Sequence, residues 1–300
     1  MRPALEEYLA YLAGAAGLSR NTVAAYRRDL KAAAAALEAR GVRDWARVRP
    51  QDVAEVQGAA RRRGASPASL ARGLSSLRGL FRYLRAEGRL TRRDPTQAAS
   101  PLRLWQRLPE VLAPQQAFAL LDAPPEATPL GQRDRALLAL LYGGGLRVSE
   151  ACGLRLEDLT LRLPGSDGPG LLRVRGKGGK ERLVPFGGGG RARLERWLEH
   201  GRRSRPGHAP WVLLSKSGRA LDRMRAFRIV QHWARAAGLS QPIHPHTLRH
   251  SCATHLLQGG GDLRSVQEFL GHADLATTER YTHVDSDELQ ALHRLHHPRA

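Results

Sequence analysis

Aromatic side chains make up only 5% of these 300 residues, cysteine occurs twice, and lysine appears only as Lys31, Lys177, Lys180 and Lys216. Each scarcity closes something off. Cys152 and Cys252 are too few for a disulfide framework and suit a reducing cytosol. With so few aromatics, Leu, Ala and Val must fill the cores, and a hydrophobic content of 42% supplies enough of them. No apolar run approaches the roughly 18 residues a membrane span needs, and no signal peptide or lipidation pattern is present, so no membrane partner is expected.

Acidic residues are short as well. Against 48 Lys and Arg stand 28 Asp and Glu, a formal charge of +20. A charge of that sign and size calls for a polyanionic partner, and nucleic acid fits better than a membrane surface. An arginine-rich genome explains Arg in place of Lys, but not the excess of basic over acidic residues.

Three hundred residues suit two domains. Residues 1–93 read as all helix. Ser19 is a candidate N-cap for a helix running to Ala39 and stopped by Gly41, and Ser66-Pro67 is a second start signal. From there Leu70, Leu74, Leu77, Phe81 and Leu84 recur at three- and four-residue steps as one apolar stripe. Arg72, Arg78, Arg82 and Arg85 fall mostly off that stripe. Basic residues outnumber acidic ones more than twofold in this segment, so a phosphate-contacting face is expected there. Residues 94–109 hold three prolines and no helical period, and read as an extended linker. Residues 110–300 form the second domain. Its markers are an apolar helix end at Ala136–Tyr142 broken by three glycines, and two strand-like runs, Leu171–Val174 and Arg182–Phe186. A Gly-Lys-Gly-Gly-Lys turn joins those runs as a hairpin. Gly165–Gly170 reads as a surface turn, and Gly187–Gly190 as a flexible loop before a helix at Arg191–Glu199.

The chemistry concentrates in the last third, in His244-Pro245-His246-Thr247-Leu248-Arg249-His250, Leu270-Gly271-His272 and Tyr281-Thr282-His283. Arg offers a planar fork that matches phosphate oxygens, and it stays charged. His donates to those oxygens or moves a proton near neutral pH. Tyr can carry a covalent intermediate. A helix starting just after Pro245 turns His246, Arg249 and His250, at i, i+3 and i+4, toward one face. Together these residue types make a site for a phosphodiester. The polar run Thr277-Thr278-Glu279-Arg280 before Tyr281 sets it apart from the other tyrosines, which lie in apolar helical stretches.

The run H-P-H-T-L-R-H, then L-G-H, then a Tyr nine residues on, resembles the tyrosine recombinases of the integrase family. Gly143-Gly144-Gly145-Leu146-Arg147-Val148-Ser149-Glu150 is similar to that family's first arginine box, and Arg175 to Arg182 to its lysine hairpin. The resemblance runs over essentially the whole chain. It is nearest to the Xer type, with the ending His296-His297-Pro298-Arg299-Ala300 more like the XerD kind. It implies a mainly α fold with a small β-sheet: an N-terminal helical bundle (a SAM-like core-binding domain, residues 1–93) and a C-terminal mixed α/β catalytic domain. Arg147 and Arg249 would clamp the scissile phosphate, and Lys177 would protonate the leaving 5′ oxygen, with Lys180 its competitor. His246 and His272 would complete the cradle, and Tyr281 would be the nucleophile that forms a 3′-phosphotyrosyl link. Glu150 would support Arg147 or its helix, while His244, His250, His255 and His283 are expected to be structural.

The resemblance further implies duplex DNA as substrate, a homo- or hetero-tetramer, and exchange of the terminal helix Asp287–His297 between protomers. For a Xer-like protein it also implies chromosome-dimer resolution at the nucleoid in the cytoplasm, with a cell-division DNA translocase as activator. A phage or transposon integrase and a type IB topoisomerase share the chemistry. The start of the resemblance near the first residue argues against an extra arm-binding domain. No cofactor is expected. His244, His246, His250 and Cys252 match no zinc spacing, and no carboxylate cluster is placed for magnesium, so no metal is expected either.

Overall fold

The computed structural model describes residues 1–16, 18, 20–90, 92–99, 111–162, 169–176, 180–204 and 209–271. The chain divides into two compact units, Met1–Gln106 and Arg107–Ala300.

The first unit is helical. Helices α1 (Arg2–Ala13), α2 (Arg20–Glu38), α3 (Pro50–Arg62) and α4 (Pro67–Ala86) pack around one core, with a 3₁₀ turn at Trp45–Arg47. Pro stands in the first turn of α1, α3 and α4, where its missing N–H has no helical partner to lose. The Ser66 hydroxyl accepts from the Ser69 N–H at 3.2 Å and caps α4 as expected. Leu70, Leu74, Leu77, Phe81 and Leu84 are all buried, so the stripe is the core face of that helix. Trp45 is buried edge-on against Phe81, and its indole N–H donates to the Met1 carbonyl at 3.0 Å, which ties the chain start into the bundle.

On the polar side of α4, two arginines have partners within the unit. Arg72 forms a two-pronged ion pair with Asp29 of α2, at 2.8 and 3.1 Å, and Arg78 donates to the Ala99 carbonyl at 2.8 Å. Two of the four arginines expected on phosphate are thus committed within the unit, and Arg82 and Arg85 remain exposed. Asp94–Ala99, expected as the start of an extended linker, instead forms turns. The Asp94 carboxylate takes both the N–H and the hydroxyl of Thr96, at 2.8 and 2.7 Å, an Asx turn that buries Thr96.

In the second unit α5 (Pro114–Asp122) and α6 (Pro129–Tyr142) come first. Every residue from Ala136 to Tyr142 is fully buried, so α6 is the central helix of the unit rather than an amphipathic one. Burial of its four leucines in that stretch contributes roughly 6–12 kcal/mol before entropy is counted. A short helix α7 (Val148–Gly153) leads to an antiparallel sheet β1–β2–β3, formed by Leu159–Thr160, Gly170–Arg175 and Glu181–Phe186. Gly170 pairs with Phe186 and Arg175 with Glu181 across the hairpin. Helix α8 (Gly188–Arg196) continues into a π turn at Trp197–Gly201. Gly187–Gly190 was expected as a loop, yet the helix starts inside it. Complete burial of Leu194 and Trp197 against α6 outweighs the poor helix propensity of three glycines.

Helices α9 (Arg223–Ala236), α10 (Pro245–Gln258) and α11 (Leu263–Leu270) complete the described part of this unit. Buried Tyr142 and His255 join α6 to α10 through a 2.9 Å hydrogen bond between the phenol oxygen and Nδ1. Burial lowers the His255 pKa, a structural role in keeping with the expectation for that residue. The expected fold class, helical with a small sheet, is what forms. No described helix is long and apolar enough to cross a membrane.

The turn from α6 into α7 depends on Gly145. It sits at φ +56°, and an added Cβ would lie 2.9 Å from both Leu270 Cδ2 and Phe269 Cε1. Gly145→Ala is therefore expected to destabilise the unit by about 2–4 kcal/mol, combining left-handed strain with overpacking. Urea unfolding reads this directly, and a midpoint equal to wild type would refute the tight turn.

Candidate active site

Helix α6 stops at Gly143, the chain reverses through Gly145, and Arg147 becomes the N-cap of α7. Glu150, three residues into that cap, reaches back to accept the Arg147 backbone N–H at 2.8 Å. The same carboxylate accepts from Arg147 Nη1 at 2.8 Å. Capping thus places an acid in the first turn, and the fold buries it until its side chain is 3% exposed.

Two more guanidinium groups converge on Glu150. Arg182, from β3, donates to both carboxylate oxygens at 3.0 Å each. Arg249, from α10, holds Nη1 at 3.8 Å from Oε2, outside hydrogen-bond distance but inside Coulombic reach. Burial alone would raise the carboxyl pKa. The Arg182 hydrogen bonds and charge, with the N–H groups of Arg147, outweigh it and hold the pKa below the ordinary value. Arg249 moves the other way. Burial, then the neighbouring Arg147 charge, lowers its pKa to about 10.

The donors left over go to one place. Arg182 Nε donates to the Phe269 carbonyl at 3.1 Å, Arg249 Nη2 to the Leu270 carbonyl at 2.5 Å, and Arg147 Nη2 to the Gly271 carbonyl at 3.2 Å. Arg249 Nη1 also donates to the Gly145 carbonyl. Three consecutive carbonyls at the C-terminal end of α11 thus receive three arginines, where helix carbonyls lack intrahelical partners and the dipole is negative. Gly271 closes that helix at φ +68°, ψ +54°, the left-handed C-cap. Three cations against one carboxylate leave excess positive charge in a nearly buried place, a setting suited to an anion such as a phosphate.

Of the candidate site residues, Arg147 and Arg249 meet around Glu150, though their positions lie far apart in the sequence. His246 is in the first turn of α10, after Pro245, and is exposed. The helix separates the expected trio: Arg249 turns into the interior with Leu248 and Cys252, while His246 and His250 stay at the surface. Lys177, His272 and Tyr281 lie outside the described residues, as do Ser19, His283, most of Gly165–Gly170 and the terminal segment Asp287–His297. Lys180 is described and exposed. Its carbonyl accepts from Gly176 N–H at 2.7 Å and closes the hairpin that carries Lys177. His244 is the N-cap of α10 and stacks on Phe227 at 4.9 Å. Among the described residues, no group of three or more His, Cys, Asp or Glu is placed to hold a metal ion.

Arg182 is the residue that sequence reasoning missed. A signal was available. Arg182 alternates with Val184 and Phe186, which puts it in the apolar register of its strand, where an arginine needs a buried partner.

Residues 110–288 match the phage integrase family, and residues 5–88 match the N-terminal SAM-like domain of phage integrases. The chain is 40% identical to Tyrosine recombinase XerD of Listeria monocytogenes, with all of both chains covered. It is 42% identical to Tyrosine recombinase XerC of Pseudomonas aeruginosa, over 100% of this chain and 96% of that one. The chain belongs to the phage integrase family, as a Xer-type tyrosine recombinase. Site-specific DNA recombination is the enzyme class that membership carries. Among solved structures, XerH bound to a difH substrate in a pre-cleavage complex aligns with a TM-score of 0.66 and 26% identity, over 89% of this chain and 77% of that one. A lambda integrase tetramer bound to a Holliday junction shares the fold, with a TM-score of 0.69 at 22% identity over 92% and 79% of the two chains.

Removing the shared carboxylate tests the site's energetics. Glu150→Ala is expected to cost about 3–5 kcal/mol, because three crowded guanidinium groups lose their counter-charge. The folded pKa lies below the ordinary 4.5, so this stabilisation is complete above that value and is lost as pH falls through the lower folded one. The gap between wild type and Glu150→Ala in urea should hold constant above about pH 5 and close in acid. A gap that persists unchanged into acid would contradict it.

Proposed function

We propose that this recombinase cleaves duplex DNA at one phosphodiester in each strand through Tyr281. The phenol gives up its proton to solvent, its oxygen attacks phosphorus, a P–O bond to tyrosine forms, and the bond to the 5′ oxygen breaks. The leaving oxygen takes its proton from Lys177 and departs as a free 5′ hydroxyl. Arg147 and Arg249 bind the non-bridging oxygens and stabilise the charge that builds on them, while His246 and His272 donate further hydrogen bonds. Neighbouring arginines also favour the phenolate over the phenol. The 5′ hydroxyl of a partner duplex then attacks the phosphotyrosine, which restores the phosphodiester, frees the tyrosine and exchanges strands.

The observation that carries this reading is the cluster of Arg147, Arg182 and Arg249 around a single carboxylate, with Arg147 and Arg249 otherwise on neutral carbonyls. Neutral–ionic hydrogen bonds are weaker than those between two ions, so a phosphate can take these donors over. A second support is α9. Arg225, Arg228 and Arg235 share its exposed side with His232, and none has an ion-pair partner among the described residues. Such an unpaired basic face suits a DNA backbone.

In relatives named XerD and XerC, 40–43% identical, the same assignment would place this chain at a chromosomal dimer-resolution site in the cytoplasm. Four protomers would act together, each passing Asp287–His297 to a neighbour, with a cell-division DNA translocase as activator.

A nicked suicide duplex bearing a candidate site tests the chemistry. Wild type should be trapped covalently, whereas Tyr281→Phe should give no adduct and bind the same duplex within about twofold, since a hydroxyl adds little to phosphate-driven affinity. An adduct with Tyr281→Phe would reassign the nucleophile. Affinity should also fall steeply with salt, by a log–log slope of about −0.9 for each phosphate neutralised. A flat response would count against DNA as the substrate.

A further inference from the structure

The geometry points to Arg182 as a positioning residue for cleavage: it occupies both oxygens of Glu150 and the α11 terminus, and so keeps Arg249 and the second nitrogen of Arg147 available for phosphate. This role rests on the recombinase reading above and adds a residue to it.

The assignment follows from how donors are shared. Glu150 has two oxygens, and Arg182 takes both at 3.0 Å. Arg147 shares one oxygen through Nη1 and sends Nη2 to a carbonyl. Arg249 is kept 3.8 Å away and satisfied by carbonyls alone. Without Arg182, Glu150 Oε2 keeps only the Arg147 backbone N–H and draws in Arg249 from 3.8 Å, and a paired Arg249 no longer offers its fork to a phosphate. A neutral carbonyl gives up a guanidinium far more readily than a buried carboxylate does. Arg182 therefore takes the share of the Glu150 charge that would otherwise fall to Arg249.

Its second task is mechanical. Arg182 stands on β3 one pair in from the turn of the β2–β3 hairpin, paired across the sheet with Val174. Through Nε it holds the Phe269 carbonyl, and its side chain lies flat on Gly271, where an added Cβ would meet Arg182 Cδ at 2.9 Å and Nε at 3.0 Å. One side chain thus links the hairpin that carries Lys177 to the point from which the chain continues to His272. Both are proposed proton or hydrogen-bond donors, so this link sets their supports against each other. Displacements of about 1 Å in such supports are enough to slow a reaction about 100-fold.

The test compares single-turnover trapping on the nicked suicide duplex by wild type, Arg182→Met, Glu150→Gln and the double variant, below the melting temperature of each. Arg182→Met should form adduct at least about tenfold more slowly, with duplex affinity unchanged, as expected for lost positioning rather than lost binding. Removing the carboxylate charge as well should bring the double variant back to within about threefold of Glu150→Gln, because no free carboxylate is left to capture Arg249. A purely structural Arg182 predicts the opposite, a double variant slower than either single one, and that result overturns the proposal. If Arg182→Met does not fold, Arg182→Lys keeps the charge but loses the fork. It should trap several-fold slower than wild type and gain from Glu150→Gln in the same way, and wild-type trapping by Arg182→Lys overturns the role. Trapping by wild type and Arg182→Met at equal rates refutes this role alone. A wild-type chain that traps no DNA refutes the recombinase reading, and this role with it.

Discussion

The second unit is organised around one buried carboxylate that three guanidinium groups reach at once. Glu150 arrives there as a helix cap, since the first turn of α7 needs an acceptor for the Arg147 N–H. Once buried, it cannot remain without counter-charge, and Arg147, Arg182 and Arg249 supply more than it needs. An isolated cation in that setting would be costly. The fold answers with the negative end of α11, whose last carbonyls take the surplus donors. Local capping, burial and charge balance are therefore one arrangement seen at three scales.

That arrangement explains how a cationic site can be stable before any anion enters it. Arginines facing only one another would repel; the Arg249 pKa is lowered first by burial and then by the neighbouring Arg147 charge. Arginines locked in ion pairs would be stable but occupied. Backbone carbonyls lie between these extremes: they hold each fork in a fixed plane without cancelling its charge. Preorganisation of this kind is what stabilises developing charge without reorganisation at the moment of reaction. The division of labour among the three arginines is accordingly unequal: Arg182 takes both carboxylate oxygens, Arg147 divides its fork between the carboxylate and a carbonyl, and Arg249 rests on carbonyls alone.

Much of this could be read from the residues. The glycine break before Arg147, the strand runs around Gly-Lys-Gly-Gly-Lys and the stripe from Leu70 to Leu84 each follow from local rules that burial then reinforces. What escaped was decided by distant partners. Arg72 and Arg78 look like a solvated or phosphate-facing row until Asp29 and the Ala99 carbonyl are brought alongside. The glycines at 188–190 look like a loop until Leu194 and Trp197 find α6. Asp94 looks like linker until its carboxylate captures Thr96. At the site, Arg147 and Arg249 were legible because a motif marks them, and Glu150 because capping does. Arg182 was legible only as a misfit in its strand, and its meaning depends on a helix 87 residues away.

Chain connectivity gives the arginine–carbonyl contacts a further consequence. They fall on Phe269, Leu270 and Gly271, the final residues of α11 and the ones directly before His272 in the sequence. Arg147 caps α7, Arg182 stands on β3 and Arg249 on α10, so the three guanidinium groups fix the end of α11 against three other elements at once. The contacts that hold the arginines in readiness are therefore also the ones that hold the end of α11 in place. Gly271 permits this because its left-handed turn ends the helix with the Arg182 side chain against it, a geometry that any Cβ would disturb. The arginine cluster and the end of α11 are thus coupled through one helix terminus. A change at either Glu150 or Gly271 is felt by both.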